Sequence, residues 1–199
     1  MNRILALTCF SFCFGWAAIG QVDTFKVDLA SSSIAWTAKK VTGANNGSID
    51  LQIGELWLRE ANLVGCRFQV DMASIKNEDL PKAYRPKLER HLKSVDFFDV
   101  EIFPLAYFVI TGISPIRKGT FNYTIVGDLT IKGMSQEVSF PAKIKVKGNR
   151  LAAYGIVQVD RRKFDIRYGS SSFFDNLGDR AIDDHFDLEI KLGAKRHVD

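Results

Sequence analysis

Beyond its first twenty residues this chain is poor in the groups that catalysis and covalent stapling use. Of three cysteines, Cys9 and Cys13 fall in the leader described below, so Cys66 stands alone and no internal disulfide can form. The three histidines, His91, His185 and His197, are too scattered for metal-ligand spacing. Asp183-Asp184-His185 reads as a turn running into a strand, where neighbouring side chains point to opposite faces. Gly169-Ser170-Ser171-Ser172 lacks the strand-to-helix elbow that exposes a nucleophile, and there is no glycine-rich phosphate loop. Without a matched acid and base an enzyme is the weaker class, and no catalytic or metal-binding residue is assigned. A formal charge of +4 is too mild for a nucleic-acid partner.

A membrane span is also missing from the body of the chain. Its greasiest stretch, HLKSVDFFDVEIFPLAYF at residues 91–108, is broken by Asp96, Asp99 and Glu101, and a span needs about 20 apolar residues. The long apolar run lies at the start instead. Met1 to Arg3 give a short positive opening, Ile4 to Ile19 are apolar apart from Thr8 and Ser11, and Ala18 and Gly20 place small residues before a cut at Gln21. This pattern is a secretory signal peptide over residues 1–20, which predicts an exported protein, periplasmic or secreted, with residues 21–199 as one domain.

What is present is period-2 alternation, almost from end to end. From Phe121 to Lys132 one face reads Phe121, Tyr123, Ile125, Gly127, Leu129, Ile131, and the other is polar. After a turn at Lys132–Ser135 the pattern resumes at Val138, Phe140, Ala142, Ile144 and Val146, an antiparallel hairpin with one dry face. The same rhythm marks Phe25-Val27-Leu29, Ile34-Trp36-Ala38, Ile49-Leu51-Ile53, Val64-Cys66-Phe68-Val70, Leu151 to Val159 and Phe186 to Leu192. It also marks either Tyr107-Val109 or Phe108-Ile110. About eight strands joined by short turns make an up-and-down meander, which must pair as a sandwich or close into a barrel. Long strands and tight hairpins point to the barrel, whose eight-stranded form is about wide enough for one small ligand. The fold expected is therefore all-β with one short helical insertion.

That insertion falls between Ser74 and Phe98. Pro86 suits a first helical turn, and Tyr84, Leu88, His91, Leu92 and Val95 share one face. Lys82, Arg85, Lys87, Arg90 and Lys93 occupy the remainder, a solvated surface or a site of transient contact with an anionic membrane.

Read together, HLKSVDFFDVEIFPLAYF, GDLTIKGMSQEVSFPA and VDRRKFDIRYGS resemble the YceI-like family, as do TGANNGSI, VDMASI and the triplet Phe97-Phe98-Asp99. The similarity runs from about Phe25 to Leu192, and the ending SSFFDNLGDRAIDD is similar to one branch of that family. The resemblance implies a secreted, lipocalin-like antiparallel barrel. In such a barrel a long isoprenoid or fatty-acyl chain lies in the pore, without metal or covalent link.

Trp36, Leu51, Phe68, Val70, Phe97, Phe98, Phe108, Leu129, Phe140 and Phe174 are the candidate lining, with Arg161, Arg162 and Arg167 as candidate polar contacts. The ligand expected is a small apolar lipid of isoprenoid, quinone or fatty-acyl type, and no other cofactor. Two alternatives remain open at this level: a filled core serving as an interaction domain, and a barrel that presents lipid to a partner enzyme. The oligomeric state, a dimer included, is not fixed by these patterns.

Overall fold

The computed structural model describes residues 20–198, so the predicted leader, Gly20 apart, lies outside the described residues. The described residues form nine strands: β1 (Val22–Val27), β2 (Ser33–Lys40), β3 (Gly43–Arg59), β4 (Asn62–Asn77), β5 (Leu105–Pro115), β6 (Tyr123–Ile131), β7 (Met134–Lys147), β8 (Arg150–Asp160) and β9 (Ile182–Arg196). One helix, α1 (Arg85–Lys93), interrupts them between β4 and β5.

The nine strands make a barrel of eight positions. β1 pairs with residues 55–59 of β3 and 194–196 of β9, while β2 pairs with residues 43–49 of β3 and 182–191 of β9. The two therefore lie end to end in one lane, separated by a 3₁₀ turn at Leu29–Ser31. From that lane the sheet runs through β3, β4, β5, β6, β7 and β8 to β9, which returns to β2 and β1. Every pairing is antiparallel, and all but the β1–β3 pair and the seam of β9 with β1 and β2 join strands consecutive in the chain. This is the closed, up-and-down, lipocalin-like barrel that the alternation predicts.

Strand direction alternates round the wall, so the connections sort to two ends. Residues 41–42, 78–104, 132–133 and 161–181 lie at the end that carries α1, and residues 60–61, 116–122 and 148–149 lie at the other. Two of these connections are long enough to fold over the barrel mouth, and both belong to the α1 end. Among the described residues no helix is long and apolar enough to cross a membrane.

The structure corrects the phase of several strands. A bulge at Gln52 in the β3–β4 ladder moves the inward positions from Ile49 and Leu51 to Leu56 and Leu58, leaving Ile53 exposed. A second irregularity, between Trp57 and Leu58, turns Leu63 inward and Val64 outward. Leu29 is exposed because it opens the 3₁₀ turn instead of continuing β1. On β5 the inward face is the one with Phe108 and Ile110, while Tyr107 and Val109 are exposed. Tyr84 and Val95 are exposed as well, since α1 is only nine residues long and both fall outside it.

One close approach fixes the wall beside the α1 end. Trp36 is 6% exposed, and its indole N–H donates to the carbonyls of Ser48 and Lys76 at 3.2 and 3.1 Å. Gly47 faces Trp36 across the ladder, where a Cβ would stand 2.7 Å from the indole and collide with the Lys76 carbonyl. Gly47→Ala is expected to cost roughly 1–3 kcal/mol of stability through overpacking. A urea midpoint lowered at unchanged m would register it.

Candidate functional site

Inward positions of an eight-stranded wall converge on a narrow interior. Here they leave two chambers of about 110 Å³ each, stacked along the barrel. The chamber at the α1 end is walled by Trp36, Ile75, Leu92, Phe97, Phe98, Ile131 and Phe186 among others. The far chamber is walled by Leu56, Leu63, Cys66, Phe68, Phe108, Ile125, Phe140 and Ile144 among others. Ile34, Val70, Leu129 and Leu188 line both and form a waist between them.

The lining is apolar almost throughout. Only Arg161 and Asp183 bring charge, both at the α1 end, and Cys66 and Tyr154 are the ionisable groups in the far chamber. Burial pushes the Cys66 thiol far above its ordinary value, so it stays a neutral, inert wall atom. Cavities with such walls offer water too few partners and suit an apolar guest.

Rings set the shape of both chambers. Phe68 stacks on Phe108 at a centroid distance of 6.4 Å, and Phe140 tilts against Phe108 at 5.8 Å. At the α1 end His91 meets Tyr168 at 4.3 Å and Phe97 at 5.1 Å, and Phe98 meets Phe186 at 6.4 Å. The cluster of His91, Phe97 and Tyr168 joins the connection carrying α1 to the connection 161–181, so the two segments close this mouth together.

Of the predicted lining, Trp36, Phe97 and Phe98 stand in the α1-end chamber, and Leu51, Phe68, Phe108 and Phe140 in the far one. Val70 and Leu129 stand at the waist. Phe174 lies half exposed in the 161–181 connection and borders neither chamber, because that segment has no strand to turn it inward.

The three arginines part company. Arg161, 3% exposed, borders the α1-end chamber, but its guanidinium donates to the carbonyls of Asp183, Ile166, Tyr168 and Ile182 at 2.8–3.0 Å. It also stands 3.6 Å from the Asp184 carboxylate. It is a clamp on the 161–181 connection. Arg162 takes an outer position, forked onto Asp160 with two bonds of 2.9 Å and reaching Ser172 at 3.1 Å. Arg167 likewise lies outside, paired with Asp165 and set over the Phe173 ring at 5.1 Å. Ile34, Ile166 and Leu188 were not singled out as lining. Alternation marks Ile34 and Leu188 as inward, whereas no periodicity marks Ile166.

Two carboxylates tie this clamp to pH. Arg162's bonds hold the Asp160 carboxyl below its ordinary value near 3.8. At Asp184 burial pulls upward, but hydroxyl bonds from Ser170 and Ser172 and the charges of Arg161 and Arg162 outweigh it, so this carboxyl is also lowered. A depressed folded value means stability that is complete above 3.8 and lost as pH falls through the folded values. Asp184→Asn is expected to shrink the loss of stability between neutral pH and about pH 3, read from denaturant midpoints across that range.

Comparison with known proteins agrees with this geometry. The profile of the YceI-like domain family matches residues 25–194. A UPF0312 protein of Yersinia enterocolitica is 36% identical over 61 residues, 31% of this chain and 30% of that protein's length. One from Vibrio parahaemolyticus is 30% identical over 94 residues, 44% of this chain and 49% of the relative. Aligned stretches thus span less than half the length of these curated relatives. Among solved structures, BcnA of Burkholderia cenocepacia superposes with a TM-score of 0.69 at 23% identity, covering 85% of this chain and 99% of BcnA. A polyisoprenoid binding domain from Saccharophagus degradans superposes with a TM-score of 0.61 at 9% identity, covering 87% of this chain and 98% of that domain. At such identities the superpositions speak for the fold.

Proposed function

Because the chain belongs to the YceI-like domain family, and its barrel encloses two apolar chambers in series, we propose that it binds the tail of a long-chain lipid in its interior and stores or carries it. The class is isoprenoid, quinone or fatty-acyl, held without covalent bond or metal. The observation that carries this reading is the pair of apolar chambers that share Ile34, Val70, Leu129 and Leu188 as a common wall, stacked in series along the barrel. The likeness in fold to the polyisoprenoid binding domain from Saccharophagus degradans supports it.

Affinity comes from transfer of methylene groups at about 0.8 kcal/mol each, so chains of similar length compete on similar terms. In this reading the protein holds its cargo without reacting with it, and Arg161 donates to four backbone carbonyls. Export to the periplasm or beyond is part of the reading and rests on the leader pattern of residues 1–20. Transient contact with a membrane surface is supported by Lys87 and Arg90, which α1 turns to solvent.

The test is native mass spectrometry of protein purified without detergent, followed by organic extraction. A co-purifying apolar species, released by solvent, is the expected result. A protein that carries nothing and takes up neither quinone, polyprenol nor fatty acid would be a filled-core interaction domain.

A further inference from the structure

The barrel wall is incomplete on one side. β2 leaves β3 after the pair Ile34–Ile49, and β1 joins β3 only at the pair Lys26–Glu55, so residues 50–54 of β3 have no ladder partner on that flank. Residues 28–32 cross the gap as a strap containing the 3₁₀ turn. A notch of about 460 Å³ opens there, lined by Leu29, Ala30, Ser33, Ile34, Ile49 and Leu51 among others. Ile34 also lines both chambers, Leu51 the far chamber and Ile49 the α1-end chamber. One layer of aliphatic side chains therefore separates the notch from the interior, at the level of the waist.

The strap is tied to β9. Asp28 N–H donates to the Gly193 carbonyl at 2.8 Å, and the Asp28 carboxylate pairs with Lys195 at 3.2 Å. The Ser32 hydroxyl donates to the Asp28 and Gly193 carbonyls at 2.8 and 3.3 Å and accepts from Gly193 N–H at 3.1 Å. At Gly193 a Cβ would strike the Ser31 hydroxyl, so the glycine is what lets the strap lie flat on β9. Swinging the strap off β3 breaks no rung of the ladder. Opening the α1 end instead means parting His91 from Tyr168 and unpicking the four carbonyl bonds of Arg161.

We propose that this notch is a side door to the interior, through which an uncharged alkyl or polyprenyl chain passes when the strap moves on its β9 anchors and Ile34 and Leu51 turn aside. Neutral chains are the class admitted, because Asp50 is the charged residue at the rim and would repel an anionic head group. The proposal rests on the lipid-binding reading and adds a route to it.

The probe is all-trans-retinol, a neutral fluorescent isoprenoid, followed by stopped-flow fluorescence. Ala30→Trp fills the notch from its exposed rim and is expected to slow association and dissociation together, roughly tenfold, at constant Kd. Ser32→Ala frees the strap and is expected to speed both, about fivefold. Circular dichroism melts confirm that both variants fold. Rates unchanged in both, with retinol still bound, overturn the door and leave lipid binding standing. A change in Kd carried by one rate alone makes residue 30 a wall contact and overturns the door too. Unmodified protein that takes up no retinol overturns the lipid reading and the door with it.

Discussion

Leu188→Trp is expected to weaken binding of a long neutral chain such as oleyl alcohol about a hundredfold while leaving octanol within a few-fold of the unmodified protein. Leu188 is one of the four residues common to both chambers, so an indole there closes the waist without altering either end wall. A chain confined to one chamber loses the methylenes that would have filled the other. Excluding about four of them costs about 3 kcal/mol, the hundredfold expected. The added bulk itself costs roughly 1–3 kcal/mol of stability, and Leu188→Met, which conserves volume, should bind both chains normally. Isothermal calorimetry on the two ligands decides the matter. Equal losses for oleyl alcohol and octanol would mean that the chambers act as separate pockets.

The largest expected effect on stability belongs to Arg161. Replacing it by Leu leaves the carbonyls of Ile166, Tyr168, Ile182 and Asp183 without their donor and strips Asp184, 14% exposed, of a partner. Breaking a buried network of this kind costs about 3–5 kcal/mol, roughly a 10 °C fall in Tm for a domain of this size. Lysine should not rescue it, since one ammonium cannot reproduce a planar fork aimed at carbonyls on two sides. Arg167→Leu is the internal control: its pair with Asp165 is more than half exposed on both sides, and the change should stay within about 0.5 kcal/mol. Differential scanning calorimetry of the two variants separates a clamp from a surface ion pair. The Arg161 variant should also expose the α1-end chamber to solvent first, because the 161–181 connection is what the clamp holds down.

The strands were legible because alternation is a direct image of a wall with one dry face. Ile125, Leu129 and Ile131 on β6, and Leu151, Val157 and Val159 on β8, are buried as their spacing predicts. Phase failed where the ladder carries an extra residue. Ile53 and Val64 look inward in sequence, but a bulge has no compositional mark at these positions, so the shift to Leu56, Leu58 and Leu63 could not be read. The lining was legible to the same degree. Trp36, Phe68, Val70, Phe108, Leu129 and Phe140 border a chamber because each stands on an inward strand position, and Phe97 and Phe98 because their connection folds back over the mouth. Phe174, Arg162 and Arg167 lie in a connection where neither helix nor strand period applies, so residue type alone marked them and their place outside the chamber walls had no signal in the sequence. The clamp role of Arg161 depends on four carbonyls brought from two segments, which only the folded chain assembles.

The seam of the barrel also sets an order in time. Each strand from β3 to β9 can zip onto its predecessor as a hairpin, but the circle closes only where β9 meets β2 and β1, from opposite ends of the chain. Until Ile182–Arg196 has been made the growing chain is an open sheet with two bare edges and no interior, unable to shut around anything. The strand that completes the barrel is thus the last to arrive, and no cargo can be enclosed before it does.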